Sequence, residues 1–280
     1  MATIVCCRWL DAFPASYVTV LRNAVAKHLR REHRFVCVTD NVAGLESGVE
    51  GIDMPELGIP LEQKQKGCWP KLSIFKPGLL PPDEPTLYLD LDIVVRGSLD
   101  CYLDRIESQG GFNALREWNP TLWSLLPLAM RPHRGVQGSL LGFYPGQQTA
   151  IYETFMADQE AAFEKYELDQ DFLSAVATGV TDWPFEWTAS FKWHCCTYFP
   201  LNRIVRSIPE PRHSKVVVFH GKPRPIDVVP RGNYRWGTPR KFGYGPVDWV
   251  RSYWLEHDPT WADVLTSRRR GLSARMATSS

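Results

Sequence analysis

No stretch of this 280-residue chain approaches the ~20 consecutive apolar residues that a membrane-crossing helix requires. The N-terminal MATIVCCRWLDAF has neither a basic opening nor a long apolar run, so no signal peptide is expected. A basic excess is missing too. Lys and Arg number 32 against 31 Asp and Glu, a formal net charge of +1 that argues against duplex nucleic acid as a partner. Among the seven cysteines there is no C-x-x-C spacing, so a zinc site lacks its usual ligand set. Cys6-Cys7 and Cys195-Cys196 are adjacent pairs, too close for ordinary bridging within a pair. The thiols read as a buried, reduced set, and His194 beside Cys195 and Cys196 does not outweigh that reading. Reduced thiols imply a cytoplasmic protein. Internal repeats and low-complexity core segments are also absent.

With 44% hydrophobic and 22% charged residues, the chain suits one globular domain, or one domain with an appendage. TIVCC (3–7), the amphipathic YVTVLRNAVAKHL after Pro14, and RFVCVTD (34–40) read as strand, helix, strand, the opening of an α/β fold with a largely parallel sheet. WPKLSIFKP (69–77) predicts a short helix with Pro70 in its first turn and a stop before Pro77. SLDCYLDRIE and residues 147–165 are helical in pattern, and DQDFLSAVATG predicts a helix ending at Gly179. GGFNALRE, GVQGSLLGFYPG and HSKVVVFHG predict strands. These place one α/β domain over 1–230 and a C-terminal extension over 231–280, its last ~15 residues disordered. That basic tail, TSRRRGLSARMATSS, follows Trp249, Trp254 and Trp261, a combination that suggests weak peripheral contact with an anionic membrane at its inner face; a solvated tail is the plainer reading. Eleven tryptophans suit either a core or the wall of a sugar or base pocket.

The chemistry concentrates in TLYLDLDIVVRG (86–97), where Asp90 and Asp92 lie between apolar runs that should be buried strand. Residues two apart on a strand share a face, so the two carboxylates would converge, and burying them without a counter-charge costs several kcal/mol. A divalent cation answers that charge and keeps positions open for phosphate oxygens. Downstream, KVVVFHG puts His220 at the end of another buried strand, and ligands of open α/β sheets gather beyond such strand ends. Two carboxylates and an imidazole favour manganese over magnesium. Lys222 and Arg224 in HGKPRP point to a polyanion, most economically a diphosphate.

At these residues the sequence resembles glycosyltransferase family 8, which includes glycogenin and bacterial lipopolysaccharide galactosyltransferases. YLDLDIVVRGSL resembles the family's aspartate-x-aspartate segment, ELDQDFL its Asp-Gln-Asp helix start, FHGKPRP a shortened form of its closing His…Gly…Lys-Pro motif, and the KL of WPKLSIF its Lys/Arg-Leu helix. The motifs occur in the family's order, and the resemblance spans roughly residues 3 to 226. It implies a GT-A fold, a mixed central sheet flanked by helices. It also implies a nucleotide-sugar donor, usually UDP-linked, and a Mn2+- or Mg2+-dependent hexosyl transfer with retention to a saccharide, lipid-linked or other hydroxyl acceptor. Carried over, Asp90, Asp92 and His220 would bind the metal, Lys222 the diphosphate, with Gly221 admitting it close to the backbone. Lys71 would face the donor, and Asp169 and Gln170 would lie near the reacting sugar. Where the family has an Asn-Ala/Ser-Gly strand, this chain reads VQGSLLGF, with Gln137 and Ser139 as approximate substitutes.

In such a reaction the Gln170 amide carbonyl would support developing positive charge and Asp169 would bind sugar hydroxyls, while helix capping is the structural alternative for both. Glu117 and Trp118 are weaker candidates for sugar hydroxyls. The loop after the first strand (Arg8, Trp9) and the end of the second (Thr39, Asp40) lie where nucleotides dock, with Trp9 able to stack on the base. Lys192 and His194 in SFKWHC are assigned to the acceptor side. Two rival readings stand beside this one. DLDIVV also fits a haloacid-dehalogenase-like phosphatase, with Asp90 as nucleophile, though such a motif normally lies near the chain's start. The other is a catalytically idle nucleotide-sugar-binding protein.

Overall fold

The computed structural model describes every residue except 11, 120–122, 124–125, 198, 239–241 and 263–280, so the basic tail lies outside the described residues. Its centre is a seven-stranded sheet of order β3-β2-β1-β4-β7-β6-β8. The strands are β1 (Ala2–Arg8), β2 (His33–Thr39), β3 (Glu50–Asp53), β4 (Thr86–Leu89), β6 (Phe112–Arg116), β7 (Val136–Phe143) and β8 (Val180–Asp182). Within this sheet β7 alone runs antiparallel to its neighbours β4 and β6, and the other pairs are parallel. All seven residues of β1 are buried, as TIVCC requires of a strand covered on both faces. Helices α1 (Ala15–His28), α2 (Leu61–Lys66) and α3 (Asp100–Gln109) precede β7 in the chain. Helices α4 (Thr149–Ala157), α5 (Gln159–Lys165), α6 (Asp169–Val176) and α7 (Asp248–His257) follow it. The fold is therefore a mixed α/β arrangement with a central sheet flanked by helices, as the family resemblance implied.

Three local departures have physical causes. TLYLDLDIVV is not one strand: β4 ends at Leu89, and β5 (Ile93–Val95) belongs to a second sheet of order β5-β10-β9, with β9 (Thr188–Ser190) and β10 (Val216–Val218). The Asp90 N–H still donates to the Ser139 carbonyl at 2.9 Å, and the Asp92 carbonyl already accepts from the Phe219 N–H at 3.1 Å. The carboxylates thus sit where the backbone passes from one sheet to the other, not on alternate positions of one strand. Residues 147–165 break at Asp158, whose carboxylate caps α5 by accepting from the Ala161 N–H at 3.0 Å. Helix α6 stops at Val176, three residues before Gly179, because Ala177 takes an extended conformation.

The described part of the C-terminal extension packs into the main core. On α7, Trp254 is buried edge-to-face against Tyr17 of α1 with ring centroids 4.7 Å apart. Asn23 of α1 donates to the His257 carbonyl at 2.7 Å, and Lys27 pairs with Glu256. Trp261 is buried as well, and Trp249 donates to the Ile208 carbonyl at 3.2 Å, so these tryptophans serve packing instead of offering a membrane anchor. All seven cysteines are free, and Cys6 and Cys37 face each other in register across β1 and β2.

This packing makes stability depend on pH. Burial holds the His28 and His257 imidazoles below their ordinary value of 6.5, with Lys27 adding to the effect. The unfolded chain therefore takes up protons that the folded chain resists, and stability should fall as pH drops through about 6.5. Thermal melts from pH 8 to pH 5 should show this decline, and His257→Gln should flatten it. A variant whose melting temperature retains the full slope would remove His257 from the account.

Candidate functional site

The two sheets meet at Asp90 and Asp92. Asp90 Oδ1 accepts from the Tyr88 hydroxyl at 2.5 Å and lies 3.3 Å from Lys71 Nζ. Lys71 stands on the 3-10 helix Trp69–Phe75, the short helix expected from WPKLSIF, and is only 3% exposed. Its ammonium is also 3.4 Å from Asp169 Oδ2 at the start of α6, and it donates to the Gly138 carbonyl at 3.1 Å. Burial alone would lower the Lys71 pKa, yet Asp169 and Asp90 outweigh it and raise the pKa well above 10.5. Gly138 makes the convergence possible, because a Cβ there would stand 3.2 Å from Lys71 Nζ and 3.6 Å from Asp169 Oδ2. The glycine inside an apolar strand was the available signal for this close approach, and Tyr88 had none beyond its neighbour Asp90.

Asp92 is the uncompensated member. Burial first and the nearby Asp90 second push its carboxyl well above the usual carboxylate range, while Arg224 and Lys71 offset only part of the effect. Register brings His220 to the same place: β10 runs antiparallel to β5 with Val218 opposite Ile93, and His220 follows one residue after the Phe219–Asp92 hydrogen bond. The ring stacks on Trp118 with centroids 5.3 Å apart and an interplanar angle of 16°. Its Nε2 lies 2.7 Å from the Ser190 hydroxyl. Trp118, a candidate for sugar hydroxyls in the sequence, is 4% exposed and supports the His220 ring.

A cavity of about 560 Å³ opens beside the carboxylates, and Trp9, Asp90, Asp92, Gly221 and Arg224 are among the residues that line it. Trp9 donates through its indole N–H to the Lys64 carbonyl at 3.3 Å, leaving the α2 residues Lys64 and Lys66 on the same wall. Helix α2 leaves no mark in the sequence, because QKQKG carries no apolar period. Asp40 accepts from the Leu10 N–H at 2.8 Å, fixing the loop after β1 in a left-handed turn at Leu10 (φ +50°). Arg8 is 4% exposed and binds the Thr39 hydroxyl and the carbonyls of Asn41 and Ala43. Arg8 and the fully buried Thr39 therefore hold the loop in shape, which withdraws them from the nucleotide-facing set.

Gly221 has φ +67°, and a Cβ on it would stand 3.3 Å from Lys192 Nζ. Lys192 lies on the π-helical turn Phe191–Cys195, and burial lowers its pKa while Asp92 acts to raise it. Its ammonium is therefore beside the carboxylate cluster. His194 of the same turn accepts from the Ser190 N–H through Nδ1 at 2.8 Å. Lys222 is exposed, and Arg224 reaches the Ala12 carbonyl at 2.5 Å with its guanidinium 4.5 Å from the Phe13 ring centroid.

The Asp-Gln-Asp stretch divides its duties. Asp171 does the capping, accepting from the Leu168 N–H at 3.2 Å, whereas Asp169 turns to Lys71, its Oδ2 buried without a hydrogen bond. Gln170 donates from Nε2 to Glu117 Oε2 at 3.4 Å, and burial raises the Glu117 pKa. Gln137 and Ser139 are buried and pair with each other at 2.7 and 2.9 Å.

A divalent cation fits the donor chemistry at Asp90 and Asp92, because the half-buried Asp92 carboxylate lies near like charge and both residues line the cavity. Among the described residues, no three or more His, Cys, Asp or Glu side chains are grouped as a ready-made metal centre. His220 is held by Ser190 and Trp118, so the carboxylate pair is the part of the expected ligand set with the stronger demand for a cation.

No family model matches the sequence, and no curated protein matches it. Solved structures do match in shape. The galactosyltransferase LgtC, solved with donor and acceptor sugar analogues, is similar over 97% of this chain and 99% of its own, with TM-score 0.57 and 16% identity. The bifunctional glycosyltransferase WbbM is similar over 94% of this chain at TM-score 0.60 and 14% identity, and this chain spans 51% of it. GlyE of Streptococcus pneumoniae TIGR4, also a glycosyltransferase, is similar over 95% of this chain at TM-score 0.56 and 15% identity, with 63% of GlyE covered. At these identities the likeness defines the fold, a GT-A fold of the kind these glycosyltransferases share.

Proposed function

We propose that the protein is a glycosyltransferase that moves a hexosyl group from a nucleotide-sugar donor, most simply a UDP-sugar, to an acceptor hydroxyl. The observation that carries this reading is the juncture of the two sheets, where Asp90, Asp92, Lys71 and Asp169 converge next to a cavity of about 560 Å³. A phosphatase of the haloacid-dehalogenase type is disfavoured by the fold, and by Asp90, whose oxygen is engaged by Tyr88 and Lys71.

In this reading Asp90 and Asp92 would hold a divalent ion, manganese by preference, with His220 as the third expected ligand. When bound, the ion supplies neutralising charge for the departing diphosphate. Lys222 and Arg224 would supply cationic donors to the diphosphate, and Gly221 would admit the phosphates close to the backbone. Trp9 stacks on the base, and Asp40 lies at the ribose end. Asp169, 4% exposed and locked by Lys71, would act by holding the Lys71 ammonium and not by meeting the sugar, and the Gln170 amide carbonyl would support developing positive charge while its nitrogen is held by Glu117. The acceptor hydroxyl attacks from the side the nucleoside diphosphate leaves, a phosphate oxygen takes its proton, and configuration is retained.

A thermal-shift panel of nucleoside diphosphates and nucleotide sugars, with and without manganese, tests the proposal. A ligand at about 100 times its Kd should add about 2.7 kcal/mol of stability. UDP and one UDP-sugar should raise the melting temperature only with the metal, and the same sugar should be hydrolysed slowly without an acceptor. Cleavage of p-nitrophenyl phosphate with no nucleotide-dependent shift would hand the site to the phosphatase reading. Tight binding with neither hydrolysis nor transfer would leave an idle binder.

A further inference from the structure

The segment 199–206, FPLNRIVR, has no part in the site above. It exposes apolar side chains to an unusual degree: Phe199 51%, Leu201 58%, Ile204 81% and Val205 42%. Scattered exposed hydrophobics are ordinary, but four within seven residues form a patch. The backbone explains how they are presented. Leu201–Arg203 is a single 3-10 turn, continued by hydrogen bonds from the Ile204 and Val205 N–H groups to the Leu201 carbonyl at 3.0 and 2.9 Å. Side chains three apart eclipse in such a turn, so Leu201 and Ile204 share one side. Asn202 faces inward and is 2% exposed, while its neighbours project.

Charge completes the pattern. Arg203 places its guanidinium 4.9 Å from the Phe199 ring centroid, and Arg206 lies 5.4 Å from the ring centroid of Tyr244 on β12 (Phe242–Tyr244). From 199 to 208 the sequence contains no Asp or Glu. Apolar tips flanked by arginines on a short projecting turn match the boundary of an anionic bilayer, where acyl chains receive the tips and phosphates receive the guanidinium groups. A protein partner would have to bring a groove and acidic groups of its own, and nothing in this turn is shaped to be clasped.

We infer that the turn 199–206 is a membrane-contact wedge, seating Leu201, Ile204 and Phe199 in the interfacial layer of an anionic bilayer with Arg203 and Arg206 at the lipid phosphates. The inference stands apart from the reading of the active site. Contact of this size is reversible and needs both parts, the apolar tips and the charge.

Co-sedimentation of the full chain with phosphatidylcholine vesicles, alone or mixed with roughly equal phosphatidylglycerol, tests it. The chain should bind the anionic vesicles, bind neutral ones far less, and be released as salt rises. The double variant Leu201→Ser/Ile204→Ser should lower the bound fraction by about tenfold, with an unchanged melting temperature and unchanged nucleotide-induced shifts. Arg203→Gln/Arg206→Gln should remove the preference for anionic lipid. Failure of the parent to sediment would overturn the inference. So would a serine variant that binds as well as the parent, because attachment would then run through another part of the chain, such as the basic tail. A dimer in solution that the serine variant dissociates, with no vesicle binding, would overturn it in favour of self-association.

Discussion

Lys71→Met should destabilise the protein by about 3–5 kcal/mol at neutral pH, measured by urea unfolding. The methionine side chain fills the same space, so the loss would be electrostatic. Lys71 is the buried counter-charge to both Asp90 and Asp169, at 3.3 and 3.4 Å, and its removal leaves two carboxylates facing each other across the Gly138 carbonyl. The sign with pH follows from the raised lysine pKa. The contribution is complete below the ordinary lysine value of 10.5 and is lost progressively as pH rises from there through the folded value, so the full loss is expected throughout the neutral range. If Asp90 and Asp92 hold a divalent ion, manganese should return part of the lost stability to the variant and give the parent less, because in the parent the lysine already neutralises Asp90. Equal stability of variant and parent would mean that the carboxylates find other partners. A loss that manganese leaves untouched would detach the ion from Asp90.

The same cluster shows how far the sequence could be read. Asp90, Asp92 and His220 stand out in the chain because charged or polar residues interrupt or end apolar runs, whereas Lys71 and the Asp-Gln-Asp stretch were legible only through the family resemblance, and the structure gathers Asp90, Asp92, Lys71, Asp169 and the end of the strand that precedes His220 at one place. Strand β1 and helix α1 were legible because an uninterrupted apolar run marks a strand buried on both faces and a helical period marks an amphipathic helix. What escaped was whatever depends on pairing between distant segments. A three-residue strand such as β9 has too few residues to show a period, yet it carries Ser190, which holds His220. The break at Asp90–Asp92 was invisible because a chain passing between two sheets is apolar on both sides, just as one long strand would be. The approach of Lys192 to the bare backbone at Gly221, where a Cβ would stand 3.3 Å from its ammonium, joins two segments far apart in the chain and has no signal in either one. Arg8 and Trp9 were equivalent candidates after β1; the difference is set by Asn41 and Ala43, whose carbonyls take the arginine.

Asp92→Asn should act in opposite directions on stability and on activity. Without a cation, the folded chain is expected to gain about 1 kcal/mol at pH 7, a rise of about 2–4 °C in melting temperature, because the substitution removes a buried charge close to Asp90. Burial and Asp90 together lift the Asp92 carboxyl well above 3.8, so its ionisation opposes folding. Stability of the parent should therefore decline as pH rises from 3.8 toward the folded value, and the variant should lose that part of the decline. Donor hydrolysis and transfer should fall by about 10²–10³-fold, since the amide is a poor ligand for a hard cation and several kcal/mol of leaving-group stabilisation depends on it. A residue kept only for structure would not lower stability while raising turnover, so the paired readout separates the two roles. If the variant is more stable and equally active, Asp92 is an expendable buried acid and the ion belongs elsewhere. If it is less stable, the carboxylate has a partner in the fold that outweighs its burial, and the account of Asp92 as the uncompensated member of the pair fails with it.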